Sequence, residues 1–190
     1  MSEEKIMVNV SNRHIHLSQS DMETLFGAGY KLTKIKDLVQ PGEHSNEETV
    51  IIAGPKRQIE KVRILGPIRK ATQIEISLTD SILTGVNAPV RQSGDTKGSA
   101  PIKVIGPKGT LELKEGCIVA KRHVHMTIKD AGRLGVANNQ LVSIKCSGDR
   151  GLVFNNVVAR VSDKMLLECH LDTDEANAAG LKNGDSVYIV

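Results

Sequence analysis

The sequence contains no tryptophan, two tyrosines and two phenylalanines. So small an aromatic set gives bases almost nothing to stack on, which argues against single-strand nucleic-acid binding. Charge of one sign is also scarce: 25 Lys and Arg against 22 Asp and Glu leave a formal +3, too little for an electrostatic footprint on DNA or RNA. The three cysteines, Cys117, Cys146 and Cys169, lie far apart with no CxxC pair. That spacing argues against a disulfide framework or a Cys-rich zinc module and fits a reducing cytosol. No apolar run approaches the roughly 20 residues of a membrane-spanning helix. The polar start Met1-Ser-Glu-Glu-Lys5 lacks the basic head and apolar middle of a secretory signal. At 190 residues the chain is shorter than an ordinary (β/α)₈ barrel of about 250. It is long enough for one domain, or two small ones, with a real core. With 39% hydrophobic and 25% charged residues, its composition is that of a folded protein.

What the sequence does contain is an internal repeat. Val10-Ser-Asn-Arg-His-Ile-His-Leu-Ser-Gln-Ser-Asp21 aligns with Val119-Ala-Lys-Arg-His-Val-His-Met-Thr-Ile-Lys-Asp130. Val, Arg, both His and the final Asp are identical. A weaker third copy, Glu168-Cys-His-Leu-Asp-Thr-Asp-Glu175, shares the order His, apolar residue, Ser/Thr/Asp, then Asp/Glu three positions on. Each copy predicts a strand ending at the His. Ser18, Thr127 or Asp172 would then cap a short helix, with Asp21, Asp130 or Glu175 at the third helical position to complete a capping box. Gly135 and Gly180 are placed to end the second and third helices. Elsewhere, β-branched runs at Thr49–Ala53, Glu60–Leu65, Gln73–Leu78, Ile102–Ile105, Thr110–Leu113, Cys117–Ala120, Gln140–Lys145 and Leu152–Val161 predict short strands. Gly-Pro pairs at 54–55, 66–67 and 106–107 punctuate them. Many short strands with few helices predict a mainly β fold of barrel type. The polar stretch 27–47 reads as an excursion from the core, His44 within it as a solvated loop residue, and 91–99 as an exposed loop.

Every histidine except His44 falls in the repeat. Alternate strand residues share a face, so His14 and His16 point together, as do His123 and His125. Two imidazoles on one face can converge on one ion, and imidazole favours zinc or another first-row metal. One isolated His-X-His carries little weight; its recurrence in equivalent repeats, with His170 in register, points to metal. Catalytic zinc usually has three protein ligands. His170 can complete one set, and a carboxylate is expected for the other. Glu75, which interrupts an apolar strand, and Glu168, which takes the first-His position of the third copy, are both candidates. Arg13, Lys121 and Arg122 near the histidines, and Arg63, Arg69 and Lys70 around Gly66-Pro67, suggest an anionic substrate, since guanidinium matches phosphate. Arg13 and Arg122 alternate away from the histidines. Walker, GxGxxG, GxSxG and HExxH patterns are absent from the sequence.

The segments Asn12-Arg-His-Ile-His16, Gly66-Pro67-Ile-Arg69 and Lys121-Arg-His-Val-His125, with the spacing between them, resemble the PduL-type phosphate acyltransferases, the phosphate propanoyltransferases or phosphotransacylases. The resemblance runs over essentially the whole chain. It implies two β-barrel domains capped by short α-helices: 1–12 with 121–190 in one, 13–26 with 48–120 in the other, and 27–47 inserted. It implies two Zn²⁺ ions, one held by His14, His16 and Glu75 and one by His123, His125 and His170. It makes Arg69 the phosphate contact, with Arg63 a further candidate for CoA or phosphate. The implied reaction is acyl-CoA + phosphate = acyl phosphate + CoA, with propanoyl or acetyl as the acyl group. The implied roles are CoA thiolate at the His14/His16/Glu75 ion, and phosphate at the other ion and Arg69. The competing expectation is a metal-dependent hydrolase of a thioester or other anionic substrate. A homodimer is implied, with no nucleic-acid or membrane partner. Family members often carry a leading extension that targets a bacterial microcompartment. Little precedes Val8 here, so the cytoplasm is expected, with the microcompartment lumen as the other location.

Overall fold

The computed structural model describes residues 4–190. In chain order the elements are β1 (Ile6–Ser11), β2 (His14–His16), α1 (Gln19–Phe26), β3 (Lys34–Asp37), β4 (His44–Ala53), β5 (Gln58–Gly66), β6 (Gln73–Ile76), α2 (Leu78–Thr84) and β7 (Val90–Arg91). They continue with β8 (Ala100–Ile105), β9 (Thr110–Ala120), β10 (His123–Met126), α3 (Ile128–Leu134), β11 (Leu141–Cys146), β12 (Leu152–Val161), β13 (Glu168–Asp172), α4 (Thr173–Ala179) and β14 (Ser186–Ile189). The fold is mainly β, as expected, and forms two closed six-stranded rings with short helices.

The chain divides into two compact units. One comprises residues up to Asn12 with Lys121–Val190; the other is Arg13–Ala120. The first unit closes in the order β1-β13-β10-β12-β11-β14. At its centre β10 and β13 run antiparallel, and each has a parallel partner on its outer side, β12 and β1. Antiparallel β11 and β14 complete the ring. The second unit repeats this plan. Antiparallel β2 and β6 lie at its centre, with β5 and β9 parallel outside them and antiparallel β4 and β8 closing the circle. Closure leaves each ring without a bare strand edge. β3 pairs with β4, and β7 with β9, outside the second ring.

Each unit has its own apolar core. Val8, Val124, Ile144, Val157, Leu171 and Val187 fill the first; Ile15, Leu25, Ile52, Ile64, Ile74 and Val104 fill the second. With so few aromatics, the interiors are packed from β-branched and leucine side chains, which suit strands. Full burial of one such side chain contributes about 1.5–3 kcal/mol.

The helix ends follow the repeat. Ser18, Thr127 and Asp172 are N-caps whose side chains accept from the backbone N–H of Asp21, Asp130 and Glu175. The capping box is complete for α3 and α4, and both helices end at left-handed Gly135 and Gly180. In α1, Asp21 instead accepts from the Thr72 hydroxyl, which in turn accepts from Ser18 N–H.

Four local expectations change. The strand expected over Gln73–Leu78 stops at Ile76; Ser77 caps α2, which begins at Leu78. Thr110–Leu113 and Cys117–Ala120 form one strand, β9, that shifts register near Gly116. Gly116 has φ 133°, where a side chain would be strained, and Thr72 O lies 3.1 Å from the place a Cβ would take. His44 is not a loop residue. It begins β4, is half-buried, and its ring fills the space a Gly66 side chain would need. Residues 91–99 are not simply exposed. Ser93 and Gly94 bond to Gln73, and Ser99 is buried.

Candidate metal centres

Both units place their histidines by one device. Across β10 and β13, His123 faces His170 and His125 faces Glu168; Val124 and Cys169 lie between them and turn into the core. Across β2 and β6, His14 faces Glu75 and His16 faces Gln73; Ile15 and Ile74 lie between and turn inward. Pleat alternation therefore sends each polar quartet to the face opposite the core. The registers of the two pairs are the same.

That shared register exposes a fourth copy of the repeat that the sequence reading missed. Gln73-Ile-Glu75-Ile-Ser77-Leu-Thr-Asp80 runs strand, N-cap and capping acid like the others. Ser77 and Asp80 make a full capping box, and α2 ends at left-handed Gly85. Glu75 occupies the position of His16, His125 and His170, and Gln73 that of His14, His123 and Glu168. The readable signal was Ser77-x-x-Asp80 with a glycine five residues later, the same interval as Asp130 to Gly135.

In the second unit, His14, His16 and Glu75 bring one ligand atom each to within 4.8 Å of one another, and so do His123, His125 and His170 in the first. His14 Nε2 is 3.6 Å from Glu75 Oε2. All three side chains are buried, at 7%, 2% and 8% exposure. Gln73 Nε2 donates to Glu75 Oε1 at 2.6 Å and to Ser93 Oγ at 2.9 Å, while its Oε1 accepts from Gly94 N–H at 2.7 Å. The pKa of His16 is lowered to about 2, first by burial, then by His14 and the Arg69 charge. Its ring is therefore neutral at physiological pH.

Arg69 approaches this group through Ser93, which also accepts from Gln73. Its backbone N–H donates to Leu17 O at 2.9 Å, folding the Gly66-Pro67 turn against the end of β2. Its guanidinium donates to Glu43 Oε1 at 3.1 Å and Ser93 Oγ at 3.4 Å. Arg63 stands in register with His14, but one of its guanidinium nitrogens donates to the Asn46 and Glu47 carbonyls of β4. Arg13 pairs with Asp80, and Arg122 with Glu175; both brace helix caps. Lys70 is exposed.

In the first unit the three rings stand 4.6, 4.9 and 4.7 Å apart. His123 Nδ1 is 2.9 Å from Lys121 O, and His123 Nε2 is 3.0 Å from His125 Nε2. A carbonyl only accepts, so His123 carries its proton on Nδ1 and turns the Nε2 lone pair toward the trio. His125 Nδ1 is 3.0 Å from Met165 Sδ, and His170 Nε2 is 2.7 Å from Glu168 Oε2. Burial, then His123, His170 and Arg160, lower the His125 pKa to about 2. Arg160, in register with His125 on β12, was not singled out from the sequence.

The donor chemistry fits a metal in both places. Neutral imidazoles with at most one carboxylate are the ligands of zinc and its first-row neighbours. His123 has the backbone-anchored tautomer usual in a metal ligand. The buried Nδ1 of His16 has no hydrogen-bond partner; such a group calls for an occupant.

A family model described as phosphate propanoyltransferase matches residues 7–182. The chain belongs to the phosphate propanoyltransferase family. Curated relatives span nearly its full length. The phosphate propanoyltransferase of Thermotoga maritima is 56% identical over 186 residues, covering 97% of this chain and 89% of the relative. That of Lachnoclostridium phytofermentans is 54% identical, with 97% and 87% covered. That of Salmonella typhimurium is 50% identical, with 96% and 87% covered. The resemblance drawn from the histidine and Arg69 segments and the expected class, a phosphate acyltransferase enzyme, both agree with these matches. Among the described residues no helix is long and apolar enough to cross a membrane.

Proposed function

We propose that this chain transfers a short acyl group, propanoyl or acetyl, between coenzyme A and inorganic phosphate, with two zinc ions. His14, His16 and Glu75 would hold one ion, and His123, His125 and His170 the other. Zinc, when bound, supplies Lewis acidity toward a thioester carbonyl and a soft acceptor for thiolate. The observation that carries the reading is Arg69 beside the His14/His16/Glu75 group, joined to Glu75 through Ser93 and Gln73, in a chain of this family.

The residues act by placement and charge. Arg69 presents a planar donor fork suited to phosphate, which must win it from Glu43 and Ser93. Held there, a phosphate oxygen attacks the acyl carbon, the C–O bond forms, the C–S bond breaks, and CoA leaves as thiolate. The reverse reaction retraces these steps. Phosphate is already ionised near neutral pH, so no strong base is needed. An acyl-enzyme path lacks a nucleophile: Cys117 and Cys169 are fully buried, and burial raises the pKa of every cysteine. Arg63 braces β4, and the reading gives the phosphate to Arg69. The family resemblance further implies a homodimer in the cytoplasm or a microcompartment lumen, and free thiols suit such reducing surroundings.

The test is release of CoA thiol from a panel of short acyl-CoAs, with and without phosphate, alongside metal analysis. Phosphate-dependent release, abolished by chelation, with two zinc per chain is expected. Release of free acid without phosphate would overturn the reading in favour of a hydrolase.

A further inference from the structure

The four strand-and-cap copies place one residue at a first position and one at a second. First positions are His14, Gln73, His123 and Glu168; second positions are His16, Glu75, His125 and His170. In each unit three of the four same-face residues form the candidate metal group, leaving one corner, Gln73 or Glu168. Both corners do the same thing. Gln73 bonds Glu75, two residues along its own strand, at 2.6 Å; Glu168 bonds His170, two residues along its own, at 2.7 Å. The polarities are exchanged. Where the neighbouring ligand is a carboxylate, the corner is an amide that donates. Where it is an imidazole, the corner is a carboxylate that accepts. Each quartet thereby contains one carboxylate.

We propose that Glu168 is a positioning residue of the first unit's metal centre: it fixes the tautomer of His170 and supplies, through that ring, the negative charge that Glu75 supplies directly in the other. The proposal rests on the reading that His123, His125 and His170 hold an ion.

Glu168 is 2% exposed. Burying a carboxylate is costly unless its oxygens are bonded, and here both are. Oε1 accepts from Asn9 Nδ2 at 3.1 Å, and Oε2 lies on His170 Nε2. Asn9 stands in register with His170 on β1, so two paired strands, β1 and β13, hold the arrangement. With Glu168 Oε2 as the acceptor, the His170 proton would sit on Nε2 and leave the Nδ1 lone pair as the one the proposal gives to the ion. A carboxylate on the far nitrogen also makes the imidazole a stronger ligand, and its loss typically costs 10–100-fold in metal affinity. On the neighbouring histidines, His123 Nδ1 bonds a backbone carbonyl and His125 Nδ1 meets a thioether.

The experiment titrates zinc, and cobalt as a spectroscopic probe, into metal-free full-length wild type and Glu168→Gln. Both are repeated in a Glu75→Gln background, where the trio is the remaining centre. The glutamine side chain is isosteric and its Oε1 still accepts from Asn9. The expected result is an apo melting temperature close to wild type, an affinity at the trio lower by about 10–100-fold, an altered cobalt spectrum there, and unchanged binding at the His14/His16/Glu75 centre. Wild-type affinity at the trio in Glu168→Gln overturns the proposal, and so does tighter binding, which would mean that Glu168 occupies the nitrogen the ion needs. Wild type that binds nothing at the trio overturns the metal reading itself. If Glu168→Gln does not fold, Asn9→Leu, which frees only the outer oxygen, takes its place. A several-fold loss at the trio then supports the proposal and an unchanged affinity sinks it.

Discussion

His14 and Glu75 face one another across β2 and β6 as His123 and His170 do across β10 and β13. Glu75 is thus a carboxylate standing in a histidine position. Replacing it with glutamine should remove about one of two zinc ions per chain, because an amide oxygen is a poor zinc ligand. Replacing it with histidine should restore binding by rebuilding a three-imidazole set like that of the first unit. Metal analysis of Glu75→Gln and Glu75→His after dialysis checks this; equal loss in both variants would break the equivalence.

Arg69 is poised between Ser93 and Glu43. Arg69→Ala should lower turnover about 10²-fold, the usual cost of removing one transition-state donor, while leaving both zinc ions in place. Glu43→Gln should lower the KM for phosphate, since phosphate no longer displaces a carboxylate from the guanidinium. Initial rates at varied phosphate test both. An unchanged phosphate dependence in Arg69→Ala would remove its assigned role.

Much of this design is written in the chain. Five of the six candidate metal ligands lie in the two His-X-His copies and the His170 copy, where cap residues at fixed spacing signal strand ends. Glu75 was ambiguous because strand alternation equally allows an outward charge, and only the β2–β6 register shows that it stands across from His14. Gln73 was illegible because an amide at a strand start means nothing until its partners Glu75, Ser93 and Gly94 are known. Arg160 was missed for a similar reason: β10 and β12 are parallel and distant in sequence, and no local pattern encodes their register. Arg63 shows another limit of local sequence: one of its guanidinium nitrogens bonds β4 carbonyls distant in the chain, which its basic neighbours do not signal.

The capping boxes make a separate stability prediction. Thr127 accepts from Asp130 N–H, and Asp130 accepts from Thr127 N–H. Thr127→Ala removes the first bond and also the one its hydroxyl donates to Asp130 Oδ2, and should cost about 1 kcal/mol, a fall of about 2–4 °C in melting temperature for a chain of this length. Thr127→Ser should recover most of it. Thermal denaturation of the two variants decides; an alanine variant as stable as wild type would show that the box adds nothing to α3.

The cysteines give the pH prediction. Burial raises the thiol of Cys117 from 9.0 to about 12 and that of Cys146 to about 11, and raises Cys169 as well. The thiolate is the reactive form, so the folded protein at pH 8 should react with a thiol reagent far more slowly than the unfolded chain, in which all three thiols are exposed. The same shifts set a stability trend. A folded-state pKa above the unfolded one means that the folded state holds its proton more tightly. This contribution is complete below about pH 9 and is lost as pH climbs toward the folded values of about 11 and 12. Denaturant midpoints should therefore fall above pH 9 in wild type, and fall less steeply in Cys117→Ala at the same sampling of pH. Fast stoichiometric labelling of the native protein at pH 8 would mean that a thiol is accessible, and would reopen the acyl-enzyme path that the buried cysteines argue against.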